Sequence, residues 1–310
     1  TMIIDFHNHV HPPKYADHPR WEGKCPMALE RVLAAQDRTG VDHIVISNAI
    51  HGLGQREPAE QLAVIREYNQ FFAESQDKYS DRLSAFACAL PSGGDDVLKE
   101  LERAVTEDGL KGVMIMSSVP GHYPDDDDAL PFFELVTKLD IPVMMHPPSV
   151  GFGEERLKDY RLASSIGRPM DLALALSRLI VRGIYEKFPS LKLVCTHLGG
   201  GISEMIGRMD YAYELQDEAY FLGEYAPMLI TKKPSDYLRM TYLDCVSYHA
   251  PAARCAIETV GADHMIFGTD APPLDVLKER GIALIEDMDL RQEDKDKIFF
   301  GNAKKLLKMD

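Results

Sequence analysis

Eight short runs of β-prone residues recur along the chain, separated by longer segments with helical periodicity. Several of the runs are almost continuously apolar, which is typical of parallel strands buried on both faces. The segments between them, such as residues 59–75 and 172–188, place apolar side chains at the spacing of an amphipathic helix. The predicted strands cover residues 2–7, 43–48, 83–90, 112–118, 141–147, 191–197, 238–245 and 264–270.

This alternation predicts an α/β fold, and eight strand–helix units in 310 residues are the number that forms a (β/α)8 TIM barrel. A doubly wound open sheet also alternates strands and helices. However, eight repeats and the lack of a G-x-G-x-x-G sequence after the first strand favour the barrel. No segment rich in glycine, proline and serine divides the sequence, so we expect residues 1–310 to form a single domain.

Composition and charge bear on partners and compartment. The formal net charge of −15 argues against a nucleic-acid-binding surface. No run approaches the roughly 18 apolar residues of a membrane helix. The five cysteines are odd in number and widely spaced, and the first residues lack the features of a signal peptide. We therefore expect a cytoplasmic protein without disulfides.

Histidine and aspartate side chains stand where the predicted strands end, which is the catalytic edge of such a barrel. His7 and His9 end the first strand, and the alternation of side chains places both on one face. His146, His197 and Asp270 end strands five, six and eight. A single histidine there is usually a hydrogen-bonded core residue, but five such groups at one edge indicate a metal site. Nitrogen and oxygen ligands suit zinc first, with manganese, iron and cobalt as alternatives.

Four motifs, DFHNH, MMHPP, CTHLGGGISEMIGRMD and FGTDAPP, resemble the amidohydrolase superfamily in their order and spacing. The resemblance is to the aminocarboxymuconate-semialdehyde decarboxylase-like branch and extends from residue 3 to about residue 302. It implies that His197 is a general acid or base beside the metal. It also implies that one divalent ion is held by His7, His9, His146 and Asp270, the last of which is therefore catalytic too.

The number of metal ions is predicted from strand four. Two-metal members of the superfamily carry a bridging lysine at the end of that strand, where this chain reads IMSSV. Lys111 lies at the opposite, entering end of the strand. We therefore expect one metal ion.

Three residues are candidates for substrate binding. The resemblance implies that Arg208 reaches across a homodimer interface to hold a substrate carboxylate, which a guanidinium fork can pair bidentately. A surface salt bridge is the alternative for Arg208. Arg168 precedes the helical segment after strand five. His51 follows strand two, and a position in a solvated loop is its alternative. His11 already lies beyond the first strand, so we expect a loop position or a place behind the metal ligands.

These residues predict a metal-dependent, non-oxidative decarboxylase of a small unsaturated or aromatic carboxylic acid. The alternative is a metal-dependent hydrolase, in which metal-bound water attacks an amide, a lactone or a carbon–carbon bond. A hydratase uses similar groups, and a metal-binding barrel without activity is the remaining class. The expected partner is a small anionic or aromatic substrate, with no nucleic acid and no membrane.

Overall fold

The computed structural model describes residues 1–120, 122–149, 151–219, 223, 225–272 and 276–309. Its eight parallel strands form a nearly closed barrel, in which each strand pairs with the next strand of the sequence. This arrangement confirms the predicted (β/α)8 TIM barrel. The strands are β1 (Ile4–His9), β2 (His43–Ser47), β3 (Leu83–Cys88), β4 (Gly112–Met116), β5 (Pro142–His146), β6 (Lys192–Cys195), β7 (Tyr242–Asp244) and β8 (Met265–Ile266).

The last strand and the segment after it return to the first strand. The Phe6 amide donates to the Phe267 carbonyl oxygen at 2.9 Å, and the His9 amide donates to the Ala271 carbonyl oxygen at 3.1 Å. These two bonds bring the two ends of the strand order together. They also place the residue after Thr269 beside the end of β1, where the candidate site lies.

A helix follows each strand and packs on the outside of the barrel, while the helix Asn302–Leu307 packs against the amino-terminal end of the barrel. The helices are α1 (Leu29–Thr39), α2 (Pro58–Lys78), α3 (Gly94–Thr106), α4 (Leu130–Leu139), α5 (Arg168–Val181), α6 (Ile202–Glu214), α7 (Ala250–Val260), α8 (Val276–Glu286) and α9 (Asn302–Leu307). Shorter helices cover Pro13–Ala16, Ile184–Lys187, Pro234–Leu238 and Gln292–Asp296.

Several predicted boundaries differ from the structure, among them the end of the eighth strand, and local chemistry explains two of the differences. The predicted seventh strand began at residue 238, but Pro234–Leu238 is a short helix, because Pro234 presets the backbone of a first helical turn. The predicted helix over residues 172–188 is interrupted at Gly183, whose φ is +75°. A Cβ there would lie 2.2 Å from the Leu229 carbonyl oxygen, so only glycine fits this break.

The barrel interior is filled from its amino-terminal end. Side chains from all eight strands form one buried apolar cluster, and side chains of α9 close it at the amino-terminal ends of the strands. Because this end is plugged, the carboxyl ends of the strands form the open end of the barrel. The cluster comprises Ile4, Phe6, Val45, Phe86, Met114, Met144, Val194, Tyr242 and Ile266, with Ala303, Leu306 and Leu307 from α9.

A register shift in β1 separates this apolar interior from the open end. The pairing of β1 with β2 shifts register between Asp5 and Asn8. Phe6 packs edge-on against Phe86 inside the barrel, with ring centroids 5.3 Å apart. The histidines that follow face the open end. An irregularity of this kind in a strand can change the direction of the side chains after it.

The structure also shows the state of the cysteines and the lengths of the helices. All five cysteines are free thiols, and four of them are buried. In the described ranges every helix is too short or too polar to cross a membrane.

Candidate metal centre and active site

The structure brings the four predicted ligands, His7, His9, His146 and Asp270, around one point at the open end. One nitrogen or oxygen atom of each lies within 4.8 Å of the others. The Nε2 atom of His9 is 3.2 Å from Nε2 of His7 and 3.2 Å from Nε2 of His146. Asp270 Oδ1 approaches His9 Nε2 to 2.9 Å.

The Nδ1 atoms of His7 and His146 point away from the cluster, and their partners show that the cluster fits a cation. His7 Nδ1 is 2.7 Å from the Asp244 carboxylate, and His146 Nδ1 is 2.8 Å from the Pro147 carbonyl oxygen. Both oxygens can only accept, so each Nδ1 carries a proton and each Nε2 is left to bind a metal. Three converging imidazole nitrogens and one carboxylate are a donor set for a divalent transition metal with an open position.

The pKa shifts agree with this donor set. Burial lowers the pKa of His9 and holds that of His146 well below its usual value, which favours the neutral rings that ligation requires. Burial opposes the charge of Asp270, yet the histidine hydrogen bonds hold its pKa well below the usual range. Burial also opposes charge on His7, but hydrogen bonds to Asp244 and Asp270 outweigh it and raise its pKa to about 10. A cation at His7 Nε2 therefore displaces a proton.

Asp244, at the end of β7, is a functional residue that the sequence analysis missed. Its side chain is 1% exposed, with Oδ2 on His7 Nδ1 and Oδ1 accepting from the His197 amide at 2.7 Å. One carboxylate therefore orients a candidate ligand and the candidate acid–base residue together. The available signal was its position, since it ends a strand as the predicted ligands do.

His197 begins a left-handed turn. The five residues from His197 to Gly201 all have positive φ, between +51° and +85°. Such a conformation costs roughly 1–2 kcal/mol for each residue with a side chain, which explains the three consecutive glycines. A Cβ on Gly200 would also lie 1.9 Å from the Pro169 carbonyl oxygen. The turn points the His197 ring back over the open end of the barrel.

The His197 ring lies beside the cluster without joining it. Its Nε2 is 4.0 Å from Asp270 Oδ2, and its side chain is 17% exposed. Burial lowers the pKa of His197, so the imidazole is neutral near neutral pH. A neutral ring at this distance can exchange a proton with a molecule bound at the open metal position.

Gly268 makes room for the first ligand. A Cβ at this position would lie 2.9 Å from the His7 Cβ and 3.3 Å from the Asp244 Cβ. A side chain here would push His7 away from the centre. The motif FGTDAPP thus contributes space as well as Asp270, and its last residue, 273, lies outside the described residues.

A cavity of about 440 Å³ opens above the cluster, and two predicted substrate-binding residues line it. Arg168 is half-buried, and its Nε donates to the Ser149 carbonyl oxygen at 3.3 Å. Within the described chain, no carboxylate lies at salt-bridge distance from Arg168. His51 is exposed, and its Nδ1 is 2.9 Å from the Ser149 hydroxyl. Beyond this contact lies a second cavity of about 540 Å³.

Two other predicted positions lie away from this cavity. Arg208 is exposed on α6 and is absent from the described residues that line the cavity. Lys111 stands before β4, where its amide donates to the Ala85 carbonyl oxygen. The opposite end of β4 carries Ser117 and Ser118, whose hydroxyls donate to the buried Asp171.

His11 lies in the loop after β1, which is one of its two expected positions. Its ring lines the cavity, and its Nδ1 is 2.8 Å from the Tyr68 hydroxyl. Burial, together with the neighbouring His9 and Arg20, lowers the pKa of His11 to about 4.

A parallel barrel with a three-histidine, one-aspartate cluster at its open end defines a metal-dependent barrel enzyme. The amidohydrolase family model matches residues 4–309, so the chain belongs to the amidohydrolase family. The resemblance seen in the four motifs is therefore confirmed.

Several relatives of the chain are decarboxylases, and one is a 2-keto-4-carboxy-3-hexenedioate hydratase of a Sphingobium species. It is 26% identical over 310 residues to gamma-resorcylate decarboxylase of a Polaromonas species, covering 95% of this chain and 91% of the relative. It is 26% identical over 277 residues to 2-amino-3-carboxymuconate-6-semialdehyde decarboxylase of Dictyostelium discoideum, covering 88% and 75%. The solved dihydroxybenzoic acid decarboxylase of Polaromonas, with bound manganese and 2-nitroresorcinol, shares the fold at a TM-score of 0.83 and 23% identity, covering 99% and 97%.

Proposed function

We propose that this enzyme is a metal-dependent, non-oxidative decarboxylase of a small aromatic or unsaturated carboxylic acid. One observation carries the proposal: a candidate cation site, the neutral His197 and Arg168, which has no carboxylate partner among the described residues, all line one cavity. Such a cavity suits an anion that exchanges a proton during the reaction. The decarboxylase relatives support the same reaction class.

Each residue has a proposed role. A divalent cation held by His7, His9, His146 and Asp270 would polarise a substrate oxygen and offset its negative charge, which is worth several kcal/mol. Arg168 binds the anionic substrate and orients it, because its guanidinium lacks an acidic partner in the described chain. His51 contacts the part of the substrate nearest the second cavity.

In the proposed reaction, one proton replaces the carbon dioxide that leaves the substrate. The bond between the substrate carbon and its carboxylate breaks, carbon dioxide leaves, and the electron pair stays on the carbon. His197 Nε2, which stands beside the cluster rather than in it, takes up a proton from solvent and passes it to that carbon, so the ring returns to its neutral form. Asp244 keeps His197 in place through its backbone amide.

Zinc is the metal that we propose first, because three imidazole nitrogens and a carboxylate suit it. Manganese is the alternative, since the Polaromonas structure contains it. Metal analysis of the purified protein, together with reconstitution of the stripped protein by each ion, tests this choice.

We also propose a homodimer in which Arg208 reaches the substrate site of the other copy. Arg208 is exposed on α6, and Met205, one turn earlier, is an exposed apolar residue at 44%. A cytoplasmic location is proposed as well, and the five free thiols support a reducing compartment.

The test is a screen for carbon dioxide release from aromatic and unsaturated carboxylic acids by the metal-loaded protein. His197→Asn should keep its metal content and lose about 10²- to 10⁴-fold in kcat. His249→Asn, exposed after β7, is the matched control and should keep its activity. Metal-loaded protein that is inert on these acids and cleaves lactones or amides would instead establish the hydrolase.

A further inference from the structure

His11 lies at the edge of the substrate cavity, with one ring nitrogen turned away from it. His11 Nδ1 is 2.8 Å from the Tyr68 hydroxyl and 3.4 Å from Nδ2 of Asn48. The ring itself lines the cavity above the metal cluster. A neutral His11 ring carries its proton on one of its two nitrogens, and the hydrogen bonds around Nδ1 indicate which one.

Asn48 decides the direction of these hydrogen bonds. Its Nδ2 is 2.9 Å from the Val10 carbonyl oxygen, which can only accept, so this end of the side chain is the amide nitrogen. The same nitrogen lies 3.4 Å from His11 Nδ1, where its N–H groups would face and disfavour a second N–H. Nδ1 is therefore an acceptor, the Tyr68 hydroxyl donates to it, and the ring proton of the neutral His11 stands on Nε2.

Tyr68 and Asn48 are both buried and held by further contacts. Tyr68 is 2% exposed and stacks on Tyr15, with ring centroids 5.3 Å apart. Burial raises the pKa of the Tyr68 phenol, which therefore keeps the proton that it donates. Asn48 is buried, and its backbone oxygen accepts a hydrogen bond from the Cys88 thiol. The orientation of His11 is thus fixed before any ligand arrives.

The opposite nitrogen has no such partner. Among the described residues, none lies at hydrogen-bond distance from His11 Nε2. The cavity around the ring is also lined by the cationic side chains of Arg20 and Arg168. Asp270 contributes the one carboxylate on the described wall of this cavity, and it belongs to the metal cluster. The surroundings of Nε2–H therefore favour an acceptor oxygen on a bound anion.

We propose that His11 donates a hydrogen bond from Nε2 to an oxygen of the substrate, and that Tyr68 and Asn48 hold the tautomer that makes this possible. His11 is then a substrate-binding residue, and Tyr68 is a positioning residue that acts through it. The proposal rests on the proposed function for its substrate, a small oxygen-bearing acid. It adds a contact on the side of the cavity formed by the loop after β1.

The first test measures binding without turnover, by calorimetry on zinc-loaded protein with 2-nitroresorcinol as the probe. His11→Met removes the donor and should weaken binding by about tenfold, the usual effect of losing a hydrogen bond to a charged group. His11→Gln places an amide N–H near the position of Nε2 and should bind within about threefold of the wild type. Equal affinity of the wild type and His11→Met, or no binding by either, overturns the proposed contact.

The second test observes the tautomer directly. Long-range proton–nitrogen NMR spectra of zinc-loaded protein with ¹⁵N-labelled histidine distinguish protonated from unprotonated ring nitrogens, and the His11→Gln variant assigns the His11 signals. We expect an unprotonated Nδ1 in the wild type. In Tyr68→Phe we expect KM to rise while kcat stays within about twofold, because orientation of the substrate and not the chemical step is affected. A proton on Nδ1 of the wild type overturns the proposal.

These outcomes are distinct from failure of the proposed decarboxylase. A protein that binds the probe through His11 and releases no carbon dioxide contradicts the reaction and leaves the contact intact. A protein that releases carbon dioxide equally well in the wild type and in His11→Met contradicts the contact and leaves the reaction intact.

Discussion

His7 Nδ1 lies 2.7 Å from Asp244 Oδ2, although 237 residues separate the two in the sequence. The other oxygen of the same carboxylate accepts from the His197 amide at 2.7 Å and from the Val246 amide at 3.1 Å. The barrel thus uses one buried acid to align a candidate ligand with the candidate proton donor. Metal affinity and acid–base geometry are coupled through this side chain.

Replacement of Asp244 by asparagine should weaken metal binding by about 10- to 100-fold, the usual effect of losing a carboxylate behind a ligating histidine. The amide cannot supply two acceptor oxygens, so either His7 or the His197 amide loses its partner. Competition with a chromogenic chelator measures the affinity. Asp236→Asn, exposed beside Arg239, is the control and should bind metal normally. Unchanged affinity in Asp244→Asn would contradict the role of this carboxylate.

The cation itself should stabilise the fold, because it binds the native cluster and not the unfolded chain. Removal of metal with a chelator should lower the thermal midpoint, and zinc or manganese should restore it. At free metal about 1,000 times the Kd, this stabilisation is about 4 kcal/mol. Differential scanning fluorimetry at several metal concentrations measures the shift. The thermal midpoint of His9→Asn should be the same with and without metal. The midpoint of His249→Asn should rise with metal as much as that of the wild type.

The strand ends made the candidate site predictable from the sequence. His7 and His146 come directly at the ends of apolar runs, and the barrel rule places all such ends at one edge. Asp244 satisfies the same rule but was overlooked, because its run, LRMTYLDC, mixes polar and apolar residues and carries no histidine. The rule identifies positions, while the partner of each side chain depends on the closed barrel.

Other features depend on contacts that no local pattern reveals. The need for Gly268 arises because the His7 Cβ, from the first strand, lies 2.9 Å from where its own Cβ would be. That the His11 ring lines the cavity could not be predicted for a similar reason, since its hydrogen-bond partner Tyr68 lies on α2. Both effects join segments that are distant in the sequence, so only the three-dimensional arrangement shows them.

The glycines after His197 offer a matched pair of substitutions. Gly200 and Gly201 both have positive φ, so alanine at either position costs roughly 1–2 kcal/mol in backbone strain. At Gly200 the new Cβ would also meet the Pro169 carbonyl oxygen at 1.9 Å, while at Gly201 nothing lies within 4 Å. Gly200→Ala should therefore lower the thermal midpoint and kcat much more than Gly201→Ala. Equal effects would show that strain alone governs this turn.

Arg168 should act on substrate binding more than on the chemical step. Arg168→Gln removes the positive charge near the cluster and should raise KM by about 10- to 100-fold, as expected for a charged hydrogen bond of about 1.5–3 kcal/mol. Arg168→Lys should fall between, because an ammonium cannot form a bidentate pair. Steady-state kinetics on the acid identified by the carbon dioxide screen measures this. Arg156→Gln, in the exposed segment before α5, is the control, and a kcat loss without a KM change in Arg168→Gln would rule out the binding role.

The fold should be sensitive to the loss of either partner of a buried ion pair behind the metal centre. Lys278, on α8, donates to Asp5 of β1, and both side chains are fully buried. Asp5 also accepts from the Thr269 hydroxyl at 2.6 Å and from the His7 amide at 3.2 Å. The pair therefore ties α8 to the strand that carries two candidate ligands and to the residue before Asp270.

Lys278→Met keeps most of the side-chain volume but leaves Asp5 buried without its cation, which should cost about 3–5 kcal/mol. The midpoint of urea unfolding at saturating metal should fall accordingly, whereas Lys99→Met, whose partner Asp96 is exposed, should change stability by less than about 1 kcal/mol. The double variant Lys278→Met/Asp5→Asn should recover part of the loss, because no unpaired charge then remains in the interior. A Lys278→Met protein as stable as the Lys99→Met control would mean that Thr269 and the backbone amides alone satisfy Asp5, and that the lysine is not needed to hold α8 on the barrel.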